Sequence, residues 1–130
     1  MARNTRTFSD IDLRFTAHPV TGDITLLYDE KAIKRSIKQL LLTSHYERPF
    51  HSEIGSPIRA LLFEPPSPMF SVTLRQTIIN TIKNFEPRVS VLDVTIRDSS
   101  DNNEVFVRVE FRIVNTQTPL SVDVVLERTR

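Results

Sequence analysis

The chain has 130 residues, no cysteine and nearly balanced charges, with 17 lysine and arginine side chains against 16 aspartate and glutamate side chains. This length is close to the commonest size of a single domain and is sufficient for one hydrophobic core. The absence of cysteine excludes a disulfide scaffold and thiolate metal sites, and a net charge of +1 argues against a nucleic-acid partner.

The amino-terminal segment is polar and has no hydrophobic periodicity. Four charged residues interrupt it: Arg3, Arg6, Asp10 and Asp12. We therefore expect neither a signal peptide nor a membrane span in it. We predict a flexible arm over residues 1–12 and a single domain over residues 13–130. Turn residues inside Leu13–Leu27 are typical of a small hairpin or an irregular loop.

Two amphipathic helices and one short helix are predicted from the spacing of apolar residues. The first begins at Asp29 and has four inner-face residues: Ile33, Ile37, Leu40 and Leu41. Its basic residues form either a solvated face or a docking surface for an acidic partner. A short helix from Pro57 to Phe63 follows Gly55, a glycine expected to have a positive φ. The longest helix begins after Ser67 and ends at about Phe85.

After Pro87 the hydrophobic period changes to two, which predicts three strands. Their approximate bounds are Arg88–Arg97, Glu104–Val114 and Leu120–Glu127. Polar loops join them, so we expect an antiparallel meander, with a bulge where the phase slips between Val91 and Leu92. The predicted fold class is α+β, with amphipathic helices packed on a three-stranded antiparallel sheet and a flexible N-terminal arm.

The sequence contains no motif for a cofactor, a metal or catalysis. Two separate glycines exclude a glycine-rich phosphate loop, and the three histidines lack the paired spacing of a zinc hydrolase. Glutamates at the ends of elements, such as Glu53 and Glu64, are more often helix caps than an acid and a base. An RNA-binding α+β domain needs solvent-facing aromatic side chains on its sheet, and only Phe106 fits that place. We predict no cofactor and no enzyme.

The run Glu86-Pro87-Arg88 follows the longest helix, and the fixed φ of Pro87 gives its two charged side chains defined directions. These side chains serve either as a partner interface or as an internal salt bridge that ties the helix to the sheet. A three-stranded sheet also leaves two open edges, which are templates for a strand from another chain.

Five motifs in one order resemble the baseplate wedge proteins of contractile phage tails, a family that includes a similar component of type VI secretion baseplates. The motifs are Ser9-Asp10-Ile11-Asp12, Lys31-Ala32-Ile33-Lys34-Arg35-Ser36-Ile37, Arg48-Pro49-Phe50 with Gly55, Leu62-Phe63-Glu64, and Phe85-Glu86-Pro87-Arg88-Val89. Residues 13–28 match no part of that pattern, and Tyr46 stands where similar proteins often have glycine.

The resemblance implies a structural protein of the virion baseplate that is assembled in the host bacterial cytoplasm. It implies multiple copies in a symmetric ring, a wedge-core interface at Glu86, Pro87 and Arg88, and a platform for tail sheath polymerisation. The last predicted strand supplies the candidate sheath contacts: Leu120, Val122, Val124 and Leu126. Neither nucleic acid nor a membrane span is implied. Because some similar proteins are described as lysozyme-like, a peptidoglycan-cleaving enzyme using Glu53 and Glu64 is the alternative.

Overall fold

A computed structural model describes residues 8–65, 67–114 and 116–128. The chain divides into two compact units, with the boundary between Ser36 and Ile37. In chain order the elements are β1 (Ser9–Ile11), β2 (Leu26–Tyr28), α1 (Asp29–Leu42), α2 (Ile58–Leu62), α3 (Pro68–Phe85), β3 (Val89–Ser99), β4 (Glu104–Ile113) and β5 (Pro119–Glu127), with a short 3-10 turn at Ser100–Asn102. The α+β prediction is confirmed.

The first unit contains a small hairpin. Strand β1 pairs antiparallel with β2, and Ile11 lies opposite Leu26. An isolated bridge between Ala17 and Ile24 continues the pairing toward the turn. Of the two structures considered for Leu13–Leu27, the hairpin is therefore the one that the chain adopts.

Strand β1 lies within the segment that was predicted as a flexible arm. The main-chain N–H of Asp29 donates to the carbonyl of Phe8 (2.8 Å), and the N–H of Phe8 donates to the carboxylate of Asp29 (3.0 Å). These two hydrogen bonds order a short polar strand that hydrophobic periodicity cannot reveal. Residues 1–7 lie outside the described residues, so the arm there, and the single domain over residues 13–130, stay predictions.

The second unit has helices on one face of a sheet. Helix α3 packs on β3, and α2 contacts α3. The inner face of α3 is fully buried at Leu74, Ile78 and Ile82, as its spacing predicted. Ser67 occupies the N-cap position in an extended conformation, but its side chain makes no capping hydrogen bond. The start of α3 therefore depends on Pro68, whose fixed φ suits the first turn of a helix.

The sheet of the second unit is the predicted antiparallel meander, in the order β3-β4-β5. Inward side chains of the central strand are buried at every second residue: Val105, Val107, Val109, Phe111 and Ile113. The register between β3 and β4 shifts between Val91 and Asp93 and leaves Leu92 as the extra residue. The predicted bulge is confirmed, and it turns Leu92 outward.

Candidate partner interfaces

The hydrogen-bond pattern identifies which residues of β5 face the open edge of the sheet. The N–H of Arg128 donates to the carbonyl of Asn103 (2.8 Å), at the end of the β4–β5 ladder. Antiparallel strands alternate the direction of their backbone groups from one residue to the next. Four residues of β5 therefore direct N–H and C=O groups away from β4: Ser121, Asp123, Val125 and Glu127. Within the described residues, no further strand pairs with them.

The residues predicted as sheath contacts have the opposite direction. Val124 and Leu126 are buried, and Leu120 and Val122 are half-buried. By the same alternation, their backbone groups face β4. The predicted strand has an open edge, but the four apolar residues named from the sequence have their backbone groups directed at β4, and only Val124 and Leu126 of them belong to the buried core. The period-two pattern reveals the buried face of a strand and carries no signal for the direction of its backbone groups.

The opposite edge of the sheet is formed by β3. The N–H of Val114 donates to the carbonyl of Arg88 (2.8 Å), and Asp93 pairs with Glu110 after the bulge. Alternation from these pairs directs the backbone groups of Ile96 away from β4. This strand also has a side-chain tie to α3, because Arg75 Nη2 lies 2.7 Å from Asp93 Oδ1.

A groove of about 340 Å³ with a mixed apolar and polar lining lies beside the carboxyl-terminal part of β5. Its apolar lining consists of Leu41 and Leu42 at the end of α1, Ile58 and Leu62 of α2, and Val125 and Leu126 of β5. Ser44, Arg59 and Glu127 complete the lining with polar groups. The groove therefore adjoins the open edge of β5.

The Glu86-Pro87-Arg88 turn connects α3 to β3. The N–H of Glu86 donates to the carbonyl of Ile82 (2.8 Å) and closes the last turn of the helix. Arg88 Nε lies 2.6 Å from Glu86 Oε1, and Arg88 Nη2 lies 2.8 Å from Glu86 Oε2. The Glu86 side chain is 4% exposed and that of Arg88 is 27% exposed. The internal salt bridge considered from the sequence is therefore present, while Pro87 is exposed.

The loop between α1 and α2 contains two exposed aromatic residues with left-handed backbone. Tyr46 and Phe50 both have a φ of 67°, and Phe50 is 99% exposed. A left-handed conformation costs a non-glycine residue about 1 kcal/mol. Glycine at position 46 would avoid this cost. The predicted positive φ of Gly55 is confirmed, at 146°.

The carboxylates considered for catalysis lack the environment of a general acid. Glu53 and Glu64 are both exposed. A hydrogen bond from its own main-chain N–H, with a smaller effect of His51, lowers the pKa of Glu53, whereas a general acid of a glycosidase needs a raised pKa. Asp12 is buried, and hydrogen bonds from the Arg14 side chain and main chain lower its pKa.

The described residues contain neither a metal-binding cluster nor a membrane-spanning helix. Among them, no group of three or more histidine, aspartate or glutamate side chains is arranged to hold a metal ion. In the same part of the chain, no helix combines the length and apolar character needed to cross a membrane.

The profile of the family described as baseplate wedge protein gp25 matches residues 28–118. The chain belongs to this family. A curated relative, baseplate wedge protein gp25 of Enterobacteria phage T4, is 27% identical over 115 residues, which are 88% of this chain and 86% of the relative. The protein is therefore a baseplate wedge protein of the kind found in contractile phage tails and related particles, and the resemblance inferred from the five motifs is confirmed.

Solved structures share the fold of this wedge protein. A putative tail lysozyme from Geobacter sulfurreducens has a TM-score of 0.73 at 20% identity and covers 78% of this chain and 92% of its own. The anti-feeding prophage baseplate has a TM-score of 0.65 at 18% identity and covers 95% and 87%. The pyocin R2 post-contraction baseplate has a TM-score of 0.60 at 19% identity and covers 87% and 97%. At these identities the likeness concerns the fold alone.

Proposed function

We propose that this wedge protein provides the platform on which tail sheath polymerisation begins and joins the core of the baseplate wedge. The observation that carries the proposal is the open edge of β5, with its outward-facing backbone groups. Unpaired backbone groups of an edge strand bind an added strand through main-chain hydrogen bonds. Multiple copies in a symmetric ring would present this edge repeatedly to the first sheath subunits, in a virion assembled in the host cytoplasm.

The wedge-core contact is proposed at the Glu86-Pro87-Arg88 turn. The bidentate pair between Glu86 and Arg88 holds the turn rigid, and Pro87 at its apex is exposed. A rigid, exposed apex loses little conformational entropy when a partner binds, and this favours its use as a contact. Pull-down of co-expressed wedge proteins by a Pro87→Lys variant is the measurement that tests this contact.

We propose that the protein has no catalytic role. Membership of a family of structural baseplate proteins supports this, as does the environment of Glu53. The lowered pKa of this exposed carboxyl favours its ionised form, whereas the general acid of a glycosidase needs a raised pKa. The structural likeness to a putative tail lysozyme concerns the fold, and fold alone does not carry an activity.

Sheath binding is expected to depend on the N–H of Asp123. Proline at position 123 removes a donor that faces the open edge, and edge strands tolerate proline at such positions. Asp123→Pro should weaken sheath binding about tenfold, the equivalent of one lost hydrogen bond and its steric cost. The measurement is titration of immobilised wild-type and variant protein with sheath subunit, with folding checked by circular dichroism.

Two control variants separate the causes of that loss. Asp123→Ala removes only the ion pair with Arg108 (2.7 Å), so it should bind sheath like the wild type. Ile96→Pro removes an outward N–H from the β3 edge, together with a half-buried side chain, so its folding is checked by circular dichroism; the folded variant should also leave sheath binding intact. If Ile96→Pro alone weakens binding, the sheath strand uses β3; if neither proline variant does, strand addition is the wrong mode.

A further inference from the structure

We infer that the groove beside β5 is a side-chain pocket that receives one bulky apolar residue, of leucine to phenylalanine size, from the sheath strand that adds to this edge. The inference rests on the proposed use of β5 by the sheath. It adds a requirement on the sequence of the incoming strand, whereas main-chain pairing alone selects no side chain.

The position of the pocket follows from the alternation of side chains along a strand. Leu126 directs its side chain toward the helices and lines the groove. Directly opposite residues in neighbouring strands have their side chains on the same face of a sheet. The residue of an added strand that lies opposite Leu126 therefore directs its side chain into the space bounded by Leu42, Ile58 and Leu62.

The size and chemistry of the groove fit an aliphatic or aromatic side chain. Its volume of about 340 Å³ exceeds the roughly 150 Å³ that suffices for a benzene molecule in an apolar cavity. Leu42 is 46% exposed, so a guest side chain would remove apolar surface from water. Arg59 and Glu127 carry opposite charges, so the lining has no net charge and does not require a charged side chain in the groove.

The open edge of β5, which lies next to the groove, indicates the occupant. The groove is continuous with Val125 and Glu127, two of the residues whose backbone groups face the open edge. A small-molecule site normally combines enclosure with a few converging polar groups. This groove is lined by three consecutive residues of the edge strand, Val125–Glu127, so a segment that pairs with β5 would pass beside it in its extended path.

The test compares Leu42→Lys with Val72→Lys, using the sheath subunit as the probe. Leu42 is the last residue of α1, where a lysine interacts favourably with the helix dipole, so the variant should fold. Val72 is an apolar residue of α3 that is 59% exposed and does not line the groove. Leu42→Lys should weaken sheath binding at least tenfold, while Val72→Lys and the conservative Leu42→Met should bind like the wild type.

The outcomes separate this inference from the proposed function. Loss of sheath binding in both Leu42→Lys and Asp123→Pro supports the pocket. If Asp123→Pro loses binding and Leu42→Lys does not, the strand adds to the edge and the pocket inference is wrong. If neither variant loses binding, the proposed use of β5 is itself wrong. If the free protein is a dimer that Leu42→Lys dissociates, the groove holds a second copy, and the inference is overturned.

Discussion

Gly55→Ala is expected to lower the free energy of unfolding by about 3 kcal/mol or more, through strain and overpacking together. A Cβ atom at position 55 would lie 2.7 Å from both the carbonyl carbon and oxygen of Ser44, and 2.9 Å from the nitrogen of His45. All three are backbone atoms, so no side-chain rotation relieves the clash. The φ of 146° is also one that L side chains rarely adopt.

The backbone around Gly55 is held by bonds that make its displacement costly. The N–H of Ser56 donates to the carbonyl of Thr43 (2.9 Å), and its hydroxyl donates to the carbonyl of Leu41 (3.1 Å). Moving Ser44 away from a new methyl group would stretch these bonds at the end of α1. The loss of stability therefore comes from a junction between a helix and a loop.

Gly22→Ala is the matched control for Gly55→Ala. Gly22 also has a positive φ, of 72°, but a Cβ there would meet no atom within 4 Å. The control should cost about 1 kcal/mol, the penalty of the left-handed conformation alone. Urea unfolding of both variants measures the difference in their free energies of unfolding. Equal slopes of free energy against denaturant would show that the variants expose the same surface on unfolding. Equal losses in the two variants would contradict the clash at Ser44.

Arg88→Ala is expected to lower the free energy of unfolding by about 3 kcal/mol, because it removes the bidentate partner of a buried carboxylate. The Glu86 side chain is 4% exposed, and both of its oxygens accept hydrogen bonds from Arg88 at 2.6 and 2.8 Å. Without this guanidinium, the desolvation cost of the carboxylate is no longer offset by the pair.

A double variant tests whether the buried charge is the cause. Glu86→Gln in the Arg88→Ala background removes that charge, so it should recover about half of the lost stability. The measurement is a double-mutant cycle of chemical unfolding. A double variant that is less stable than Arg88→Ala would mean that Glu86 is stabilised chiefly by its other contacts.

The dependence of Glu86 on Arg88 affects how a wedge-binding experiment is interpreted. A variant without the Glu86–Arg88 pair changes the rigidity of the turn together with its surface, so lost binding would not distinguish an interface from an internal tie. Pro87→Lys keeps both members of the pair but also releases the fixed φ of position 87, so Pro87→Ala, which releases φ without adding a charged side chain, is its matched control. Loss of wedge binding in Pro87→Lys but not in Pro87→Ala would assign the contact to the surface of the apex.

The sequence predicted those elements whose periodicity is set by burial. Helix α3 and strand β4 each bury one face, so their apolar residues recur with the period of the element. The bulge after Val91 was predictable because an extra residue reverses the alternation. The positive φ of Gly55 was predictable because glycine adopts this conformation with little strain, and the chain has only two glycines.

Features that depend on backbone direction or on long-range pairing could not be predicted from the sequence. The outward direction of the Asp123 backbone follows from the register with β4, which the side-chain pattern leaves open. Strand β1 is ordered by pairing with residues seventeen or so positions away, with no apolar alternation of its own. The groove arises from α1, α2 and β5 together, and no single segment carries its pattern.

The acidic residues on the open edge of β5 have a consequence for the timing of assembly. Asp123 and Glu127 are two of the four residues whose backbone groups face that edge. If two free copies paired through β5, their carboxylates would lie opposite or diagonal to one another, and like charges in these positions repel. If β5 receives a sheath strand as proposed, this repulsion would disfavour pairing between two free copies before that strand adds.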